Sequence, residues 1–206
     1  MTGIIDYGVG NLFSLASSLR MLDAGCVVTN DADVIRHSDH IVLPGVGAFG
    51  DAMVQLKASG LIPALLEQAA AGKPFLGICL GMQLLFERSH EFGCHEGLSL
   101  IPGEVVSIRE ALTNKGLHYK VPQMGWNALD FVHANCPLLE NVAQGDYVYY
   151  LNSYYVSCDR AFIAATSDYG VAIPGAVQRG NLYGVQFHPE KSGHVGLAIL
   201  QSFLHL

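Results

Sequence analysis

The 206-residue sequence has few charged residues: Asp, Glu, Lys and Arg make up 14% of it, against roughly 25% in average soluble proteins. The 11 basic residues form no cluster, and the formal net charge is −7. Nucleic acids and anionic membrane surfaces are bound through basic patches, so we expect neither as a partner. Half of the residues are hydrophobic, which excludes intrinsic disorder. This composition fits either a large core or an apolar surface patch that a partner protein covers.

Long apolar runs are also missing, because no segment approaches the roughly 20 residues that span a bilayer. Residues 1–6 lack the basic and apolar regions of a signal peptide. The cysteines are odd in number, without C-x-x-C or zinc-ligand spacing: Cys26, Cys79, Cys94, Cys136 and Cys158. This pattern argues against a disulfide framework and a structural metal. We therefore expect a cytoplasmic protein with no metal and no cofactor.

The first half of the chain alternates short apolar strands with helices. Strands are predicted at residues 3–6, 26–29, 40–43 and 75–78, with Asn11 capping the first helix and residues 82–88 forming the helix after the fourth strand. Strands that are apolar on both faces are typical of a parallel sheet covered by helices.

The second half contains mainly strands separated by turns, and Ser192 is predicted to cap a last helix. We expect these strands to extend the same sheet in antiparallel fashion. No repeat or linker is evident. Residues 1–206 are therefore predicted to form a single three-layer α/β domain, with a central, mostly parallel sheet and helices on both faces.

The first indication of a catalytic site is the segment from Gly77 to Gly81, which has a G-x-C-x-G pattern where the fourth strand meets a helix. Such a turn projects the side chain of its central residue, Cys79, from the carboxyl edge of the sheet. The helix N-terminus, and an imidazolium nearby, would favour the thiolate. A lone buried cysteine is more often structural, so a second signal is needed.

That second signal is His188 followed by Pro189 and Glu190. Alternation from Tyr183 predicts a strand in which His188 is the final residue and faces away from the apolar side chains. Glu190 can then orient the imidazole, which completes a nucleophile–base–orienter set with Cys79. A histidine at a strand end is usually structural by itself, but the combination favours catalysis.

Acyl transfer through a thioester also needs donors for the oxyanion. The backbone N–H of Leu80 is one candidate. The segment of Gly45, Val46 and Gly47 follows a neighbouring strand and offers another, although it also fits a simple strand-ending turn. Gln83 lies one helical turn after Cys79 and either faces the same cleft or is a polar core residue.

With these motifs in place, the chain resembles the triad (class I) glutamine amidotransferases. Within that family it is similar to the glutaminase subunits that supply ammonia to a (β/α)₈ cyclase in histidine biosynthesis. The closer similarity rests on residues 6–12, 44–49, 121–127 and 153–154. It implies that L-glutamine is the substrate, that the cyclase binds as a heterodimer partner, and that ammonia crosses their interface.

The resemblance also implies roles for individual residues. Cys79 would be the nucleophile, His188 the general base and then acid, and Glu190 its orienter. The remaining roles are oxyanion binding by Gly45–Gly47, glutamine binding by Gln83, Glu91, Ser153 and Tyr154, and contact with the cyclase by Asn11, Trp126 and Lys191.

Two positions depart from the family pattern. Asn152 stands where the family usually has histidine, and Gln123 stands where histidine is frequent. An amide lacks the charge and bulk of an imidazole, so the affinity for glutamine or the coupling to the cyclase would differ here.

Three other functions fit the sequence. One is a paralogous subunit that feeds a different acceptor, for example in surface-polysaccharide sugar synthesis. The second is a non-catalytic binding subunit with the same fold, and the third is a stand-alone hydrolase of γ-glutamyl compounds.

Overall fold

The structure is a computed structural model that describes residues 1–133 and 135–206. Its strands are β1 Thr2–Ile5, β2 Cys26–Thr29, β3 His40–Gly45, β4 Phe75–Cys79, β5 Phe86–Ser89, β6 His95–Glu96, β7 Ile101–Ser107, β8 Gln123–Ala128, β9 Asp130–Phe131, β10 Tyr147–Asn152, β11 Tyr154–Ser157, β12 Ile163–Asp168, β13 Ala172–Arg179 and β14 Leu182–Val185. Its α-helices are α1 Leu12–Met21, α2 Ala32–His37, α3 Phe49–Ala58, α4 Ile62–Ala70, α5 Leu80–Leu84, α6 Ile108–Asn114 and α7 Gly193–Leu204.

The main sheet has the strand order β2-β1-β3-β4-β14-β13-β12-β9. From β2 to β14 all neighbours are parallel, whereas β13, β12 and β9 join in antiparallel fashion. This arrangement confirms the predicted α/β fold with a mostly parallel sheet and an antiparallel extension.

Alternate residues of the parallel strands enter two separate cores, as the two-residue period of a strand requires. Ile4 and Val42 pack with α1 and α7 on one face. Ile5 and Ile41 pack with α3 and α4 on the other. The helices on both faces make the predicted three layers.

The second half differs from its prediction in one respect. Only β9 and β12–β14 extend the main sheet, while β8 and β10 form a separate antiparallel ribbon, and β5, β6, β7 and β11 form a third sheet. The prediction that all these strands join one sheet was therefore wrong. The ribbon and the third sheet stand over the carboxyl edge of the main sheet, where Leu151 and Tyr154 reach the cavity around Cys79.

The ends of three elements also differ from the sequence prediction. Helix α5 stops at Leu84 instead of continuing to residue 88, because the carbonyls of Leu84 and Leu85 accept the N–H groups of Leu98 and Leu100. Neither Asn11 nor Ser192 makes a side-chain capping bond to its helix. Both side chains are instead bonded within the site described below.

The turn between β4 and α5 depends on Gly81. A Cβ atom added there would lie 1.9 Å from the carbonyl oxygen of Leu43 in β3, far inside van der Waals contact. Since the obstructing atom belongs to the backbone, the helix or the strand must move. We expect Gly81→Ala to lower the free energy of unfolding by about 3 kcal/mol or more, as measured by urea denaturation. Gly25→Ala is the matched control, because a Cβ at Gly25 meets nothing within 4 Å; equal losses in both variants would contradict this account.

Candidate active site

Cys79 lies at the junction of β4 and α5 in a backbone conformation rare for a side-chain-bearing residue, with φ 55° and ψ −112°. A Cβ at Gly77 would lie 2.6 Å from the Cα of Met82, so this glycine lets α5 turn back onto its own strand. The Cys79 sulfur lies 4.0 Å from the carbonyl oxygen of Leu151 and 3.7 Å from the amide nitrogen of Gln186. The turn thus holds the thiol at the carboxyl edge of the sheet, as predicted for a nucleophile.

The neighbouring strands bring the other predicted site residues to this edge. β4 lies between β3 and β14, with Gly45 opposite Cys79 and Val185 opposite Ile78. His188 lies three residues beyond the end of β14, so the prediction that it closes the strand was wrong. Its position is nevertheless close to the predicted one, because parallel strands end at the same edge.

His188 and Glu190 form a buried pair. The Nδ1 atom of His188 lies 3.0 Å from Oε1 of Glu190, with side-chain exposures of 4% and 3%. Burial lowers the pKa of His188, but hydrogen bonds to Cys79 and Glu190, together with the charges of both, outweigh it and raise the pKa to about 10. The structure therefore brings Cys79, His188 and Glu190 together and favours a protonated imidazole next to the sulfur.

This raised pKa makes stability depend on pH. The folded state keeps a proton that an unfolded histidine releases near pH ~6.5. The stabilisation from His188 is therefore complete below that pH and is lost as the pH rises towards about 10. We expect the difference in free energy of unfolding between the wild type and His188→Gln to shrink across this range. Urea denaturation at several pH values measures it, and a difference that grows with pH would contradict the assignment.

The backbone of His188 is held by β10. Its N–H donates to the carbonyl of Tyr149 over 2.9 Å. The hydroxyl of Ser192 donates to the His188 carbonyl over 2.6 Å and accepts the N–H of Tyr149 over 3.0 Å. The Ser192 hydroxyl therefore holds the backbone of His188 in position. The sequence analysis missed this role because a serine before a helix normally indicates a cap.

Asn11 also belongs to this group of contacts. Its Nδ2 donates to Oε1 of Glu190 over 3.5 Å, at the start of α1. The other carboxylate oxygen of Glu190 is buried without a hydrogen-bond partner among residues 1–133 and 135–206. Asn11, predicted to face a partner, thus also contacts the carboxylate that is paired with His188.

On the opposite side of Cys79 is the predicted oxyanion segment. Val46 and Gly47 line the cavity at the sulfur, whereas Gly45 lies in β3. A Cβ at Gly45 would lie 2.8 Å from the nitrogen of Gly81, so the segment packs closely on the nucleophile turn. Which N–H would hold the oxyanion stays a prediction, as does the role of Leu80 at the first position of α5.

Tyr7 fixes the base of that segment, and the sequence reading assigned it no role. Its hydroxyl donates to the carbonyl of Pro44 over 2.9 Å and is buried. Burial and the charge of Cys79 raise the pKa of Tyr7 far above its ordinary value, so the hydroxyl keeps its proton as a donor.

The cavity at Cys79 has a volume of about 280 Å³, which is large enough for a small amino acid. Besides the triad and oxyanion candidates Cys79, His188, Val46, Gly47 and Leu80, its walls contain Gln83, Glu91, Pro122, Leu151, Asn152, Ser153, Tyr154 and Lys191. All four residues predicted to bind glutamine are in this set.

Two of these four have part of their hydrogen-bonding capacity occupied. Nε2 of Gln83 donates to the carbonyl of Tyr154 over 3.1 Å and to Oε1 of Gln186 over 2.9 Å. An amide nitrogen has two donors, so only the Gln83 oxygen remains for a ligand. Oε2 of Glu91 accepts the N–H of Phe49 over 2.7 Å. Burial raises the pKa of Glu91, although the bond from Phe49 opposes this shift.

Asn152 and Gln123, the two residues expected to depart from the family pattern, lie opposite each other in the β8–β10 ribbon. Nδ2 of Asn152 donates to the carbonyl of Tyr154 over 3.0 Å. The Asn152 oxygen, and both amide atoms of Gln123, are buried without partners among the described residues. The amide of Asn152 therefore holds the main chain of Tyr154, which lines the cavity.

Of the residues predicted to meet a partner, Lys191 lines the cavity, and Trp126 lies in the β8–β10 ribbon. Trp126 is 55% exposed, and its ring packs edge-on against Tyr149 with centroids 6.1 Å apart. Nζ of Lys191 lies 5.9 Å from the centroid of the same Tyr149 ring. Met124 and Tyr147 extend the exposed apolar surface next to Trp126.

The structure offers no evident metal site in the part of the chain it describes, where no three His, Cys, Asp or Glu residues come together as ligands. Over the same residues, no helix is long and apolar enough to cross a membrane.

Known proteins resemble this chain over nearly its whole length. The family glutamine amidotransferase class-I matches residues 3–206. A glutamine amidotransferase from Thermotoga maritima has the same fold, with a TM-score of 0.69 over 99% of this chain and 96% of that one at 15% sequence identity. The chain belongs to the class I glutamine amidotransferases.

More similar relatives are particular members of that family. The imidazole glycerol phosphate synthase subunit HisH of Geobacillus sp. (strain WCH70) is 48% identical over 98% of this chain and 95% of the relative. Subunit HisH of Syntrophotalea carbinolica is 47% identical, over 98% of both chains. The resemblance inferred from the sequence motifs is thus confirmed.

Proposed function

We infer that this chain is the glutaminase subunit of an imidazole glycerol phosphate synthase, which acts in L-histidine biosynthesis. It hydrolyses L-glutamine to glutamate and ammonia and delivers the ammonia to a (β/α)₈ cyclase subunit, which makes imidazole glycerol phosphate and AICAR. The observation that carries the chemistry is the buried Cys79–His188–Glu190 set at a cavity of about 280 Å³. The identity of 46–48% to HisH subunits over 98% of the chain supports the pathway.

The reaction starts at the sulfur. With the Cys79 proton held by His188, the sulfur electron pair forms a bond to the side-chain carbonyl carbon of glutamine. Backbone N–H groups of the Val46–Gly47 segment and Leu80 hold the oxyanion. His188 returns its proton to the departing ammonia, which leaves a γ-glutamyl thioester on Cys79. Water, deprotonated by His188, then attacks this thioester, the C–S bond breaks, and glutamate leaves.

The electrostatics of the site suit these steps. Glu190 contacts Nδ1 of His188, orients the imidazole and stabilises its protonated form. Burial of the pair excludes water, which would weaken the hydrogen bond and the charge–charge attraction between them. Glu91 lies at the cavity wall, and among residues 1–133 and 135–206 only its Oε2 accepts a hydrogen bond, so the other oxygen suits the ammonium group of the substrate. The amide oxygen of Gln83 suits an N–H donor on the same ligand.

Ammonia must then reach the second subunit. The exposed apolar group of Met124, Trp126 and Tyr147 is the surface that we assign to the cyclase. Lys191 lines the cavity and packs on Tyr149, which in turn packs on Trp126. We propose that ammonia crosses to the partner on this side of the cavity. We place the complex in the cytoplasm.

Glutamate release by the purified chain, alone and with a cyclase subunit and its ribonucleotide substrate, tests this function. We expect release to rise in the complex and to match the formation of imidazole glycerol phosphate. Full turnover without a partner would indicate a stand-alone γ-glutamyl hydrolase instead. Stimulation by a different synthase would indicate the paralogous function, and no turnover in any mixture would indicate a binding subunit.

A further inference from the structure

Gln186 is a buried polar residue that the proposed reaction leaves without a role. It is 0% exposed and follows directly after β14, whose last residue, Val185, is level with Ile78. The next position along β4 is Cys79. The parallel register therefore places Gln186 beside the nucleophile, with its amide nitrogen 3.7 Å from the sulfur.

The orientation of this amide follows from the groups behind it. The carbonyl oxygen of Tyr154 can only accept hydrogen bonds, so the Gln83 atom 3.1 Å from it is the nitrogen. That nitrogen only donates, so the Gln186 atom 2.9 Å from it is the oxygen. The remaining atom of the Gln186 amide, its nitrogen, must then face the sulfur. The backbone carbonyl thus determines which atom of each amide is the nitrogen and which is the oxygen.

The Tyr154 carbonyl, at which this chain of hydrogen bonds ends, is fixed by a further contact. The Tyr154 carbonyl accepts a second N–H, from Asn152 over 3.0 Å. Gln83 and Asn152 are 4% and 7% exposed. In such a buried network hydrogen bonds are strengthened by the low local dielectric, and those made to a charged group are the strongest.

We propose that Gln186 is a catalytic residue that donates a hydrogen bond to the Cys79 thiolate, with Gln83 and the Tyr154 carbonyl holding its amide in the donating orientation. This inference rests on the proposed function only in taking the sulfur of Cys79 as the nucleophile. Negative charge is present on sulfur twice: when its proton has moved to His188, and when the C–S bond of the thioester breaks and the electron pair returns to sulfur. The amide stabilises the thiolate in both states.

Gln186→Met tests the proposal, because methionine keeps the volume but cannot donate to the sulfur; Gln186→Leu serves as a second variant. Losing one hydrogen bond to a charged group should lower kcat about 10- to 100-fold, with little change in KM. The pH at which iodoacetamide alkylates Cys79 at half its maximal rate should rise by about one to two units. A packing role would not move this pH.

Gln178→Met is the matched control. Gln178 lies in the adjacent strand β13, and its amide donates to Gly180 and Tyr183, away from the sulfur. The pH curve should be compared only among folded variants with the same set of other titratable groups. Those that line its cavity, or act on a group that does, are Tyr7, Glu91, Tyr154, His188, Glu190 and Lys191.

A wild-type measurement keeps the proposal testable if both variants misfold. In protein labelled with ¹⁵N-glutamine, one side-chain amide signal should shift with pH along the alkylation curve. An unchanged alkylation pH in a folded Gln186 variant, or no titrating amide in the wild type, would overturn the proposal. These results concern Gln186 alone. Failure of the proposed glutaminase mechanism would instead appear as glutaminase activity that survives Cys79→Ala.

Discussion

Cys79→Ala should abolish glutamine hydrolysis, with kcat falling by about 10⁴-fold or more, because the sulfur next to His188 forms the bond to the substrate carbonyl. The fold should persist, since the substitution removes one sulfur atom at the edge of a cavity. Glutamate release measures the loss. In the complex with the cyclase, turnover supported by added ammonium salt should be unchanged, because that reaction bypasses the glutaminase.

The matched control is Cys94→Ala, which removes an exposed thiol and should leave glutamate release as in the wild type. Loss of both glutamine-dependent and ammonia-dependent turnover in Cys79→Ala would show that the residue supports the complex structurally. Glutaminase activity above about 1% of the wild type would contradict its role as nucleophile.

His188→Gln is expected to cause a loss of similar size. Without the imidazole, no group takes the proton from Cys79 or returns it to ammonia, so we expect kcat to fall by about 10⁴-fold. Since the nucleophile and its base act as one unit, the double variant Cys79→Ala/His188→Gln should be no worse than either single variant. Steady-state glutamate release from the three variants measures this non-additivity.

His194→Gln is the control for that variant, because it changes an exposed histidine six residues further on. It should retain full activity. Losses that multiply in the double variant would mean that Cys79 and His188 contribute independently, which is inconsistent with a shared proton-transfer step.

Much of the fold follows from local pattern. Strands that are apolar on both faces, such as β3 and β4, predict a covered parallel sheet, and β2 begins and ends at the predicted residues. The small sheets were not separable by sequence, because strand periodicity says which face is buried but not which strand is the neighbour. Helix α5 ends early for a similar reason: distant N–H groups at Leu98 and Leu100 take its last carbonyls.

In the candidate site, too, local motifs predict some residues, whereas other contacts depend on the tertiary structure. Cys79, His188 and Glu190 carry recognisable motifs, and the parallel strand ends bring them together. The contact of Tyr7 with Pro44 could not be predicted because the two residues are distant in sequence. The contact of Ser192 with His188 was missed because a serine before a helix usually caps it. Gln186 left a usable signal, since it alternates with His188 on the same face of the predicted strand. Its bond to sulfur depends on the register of β14 against β4, which no local pattern specifies.

The left-handed backbone at Cys79 has an energetic consequence. A residue with a Cβ in that conformation costs about 1–2 kcal/mol relative to its relaxed form, and alanine or serine at this position would keep the same cost. Only glycine would recover it, and glycine has no sulfur. Natural selection for a robust fold and selection for turnover therefore act on this one residue in opposite directions.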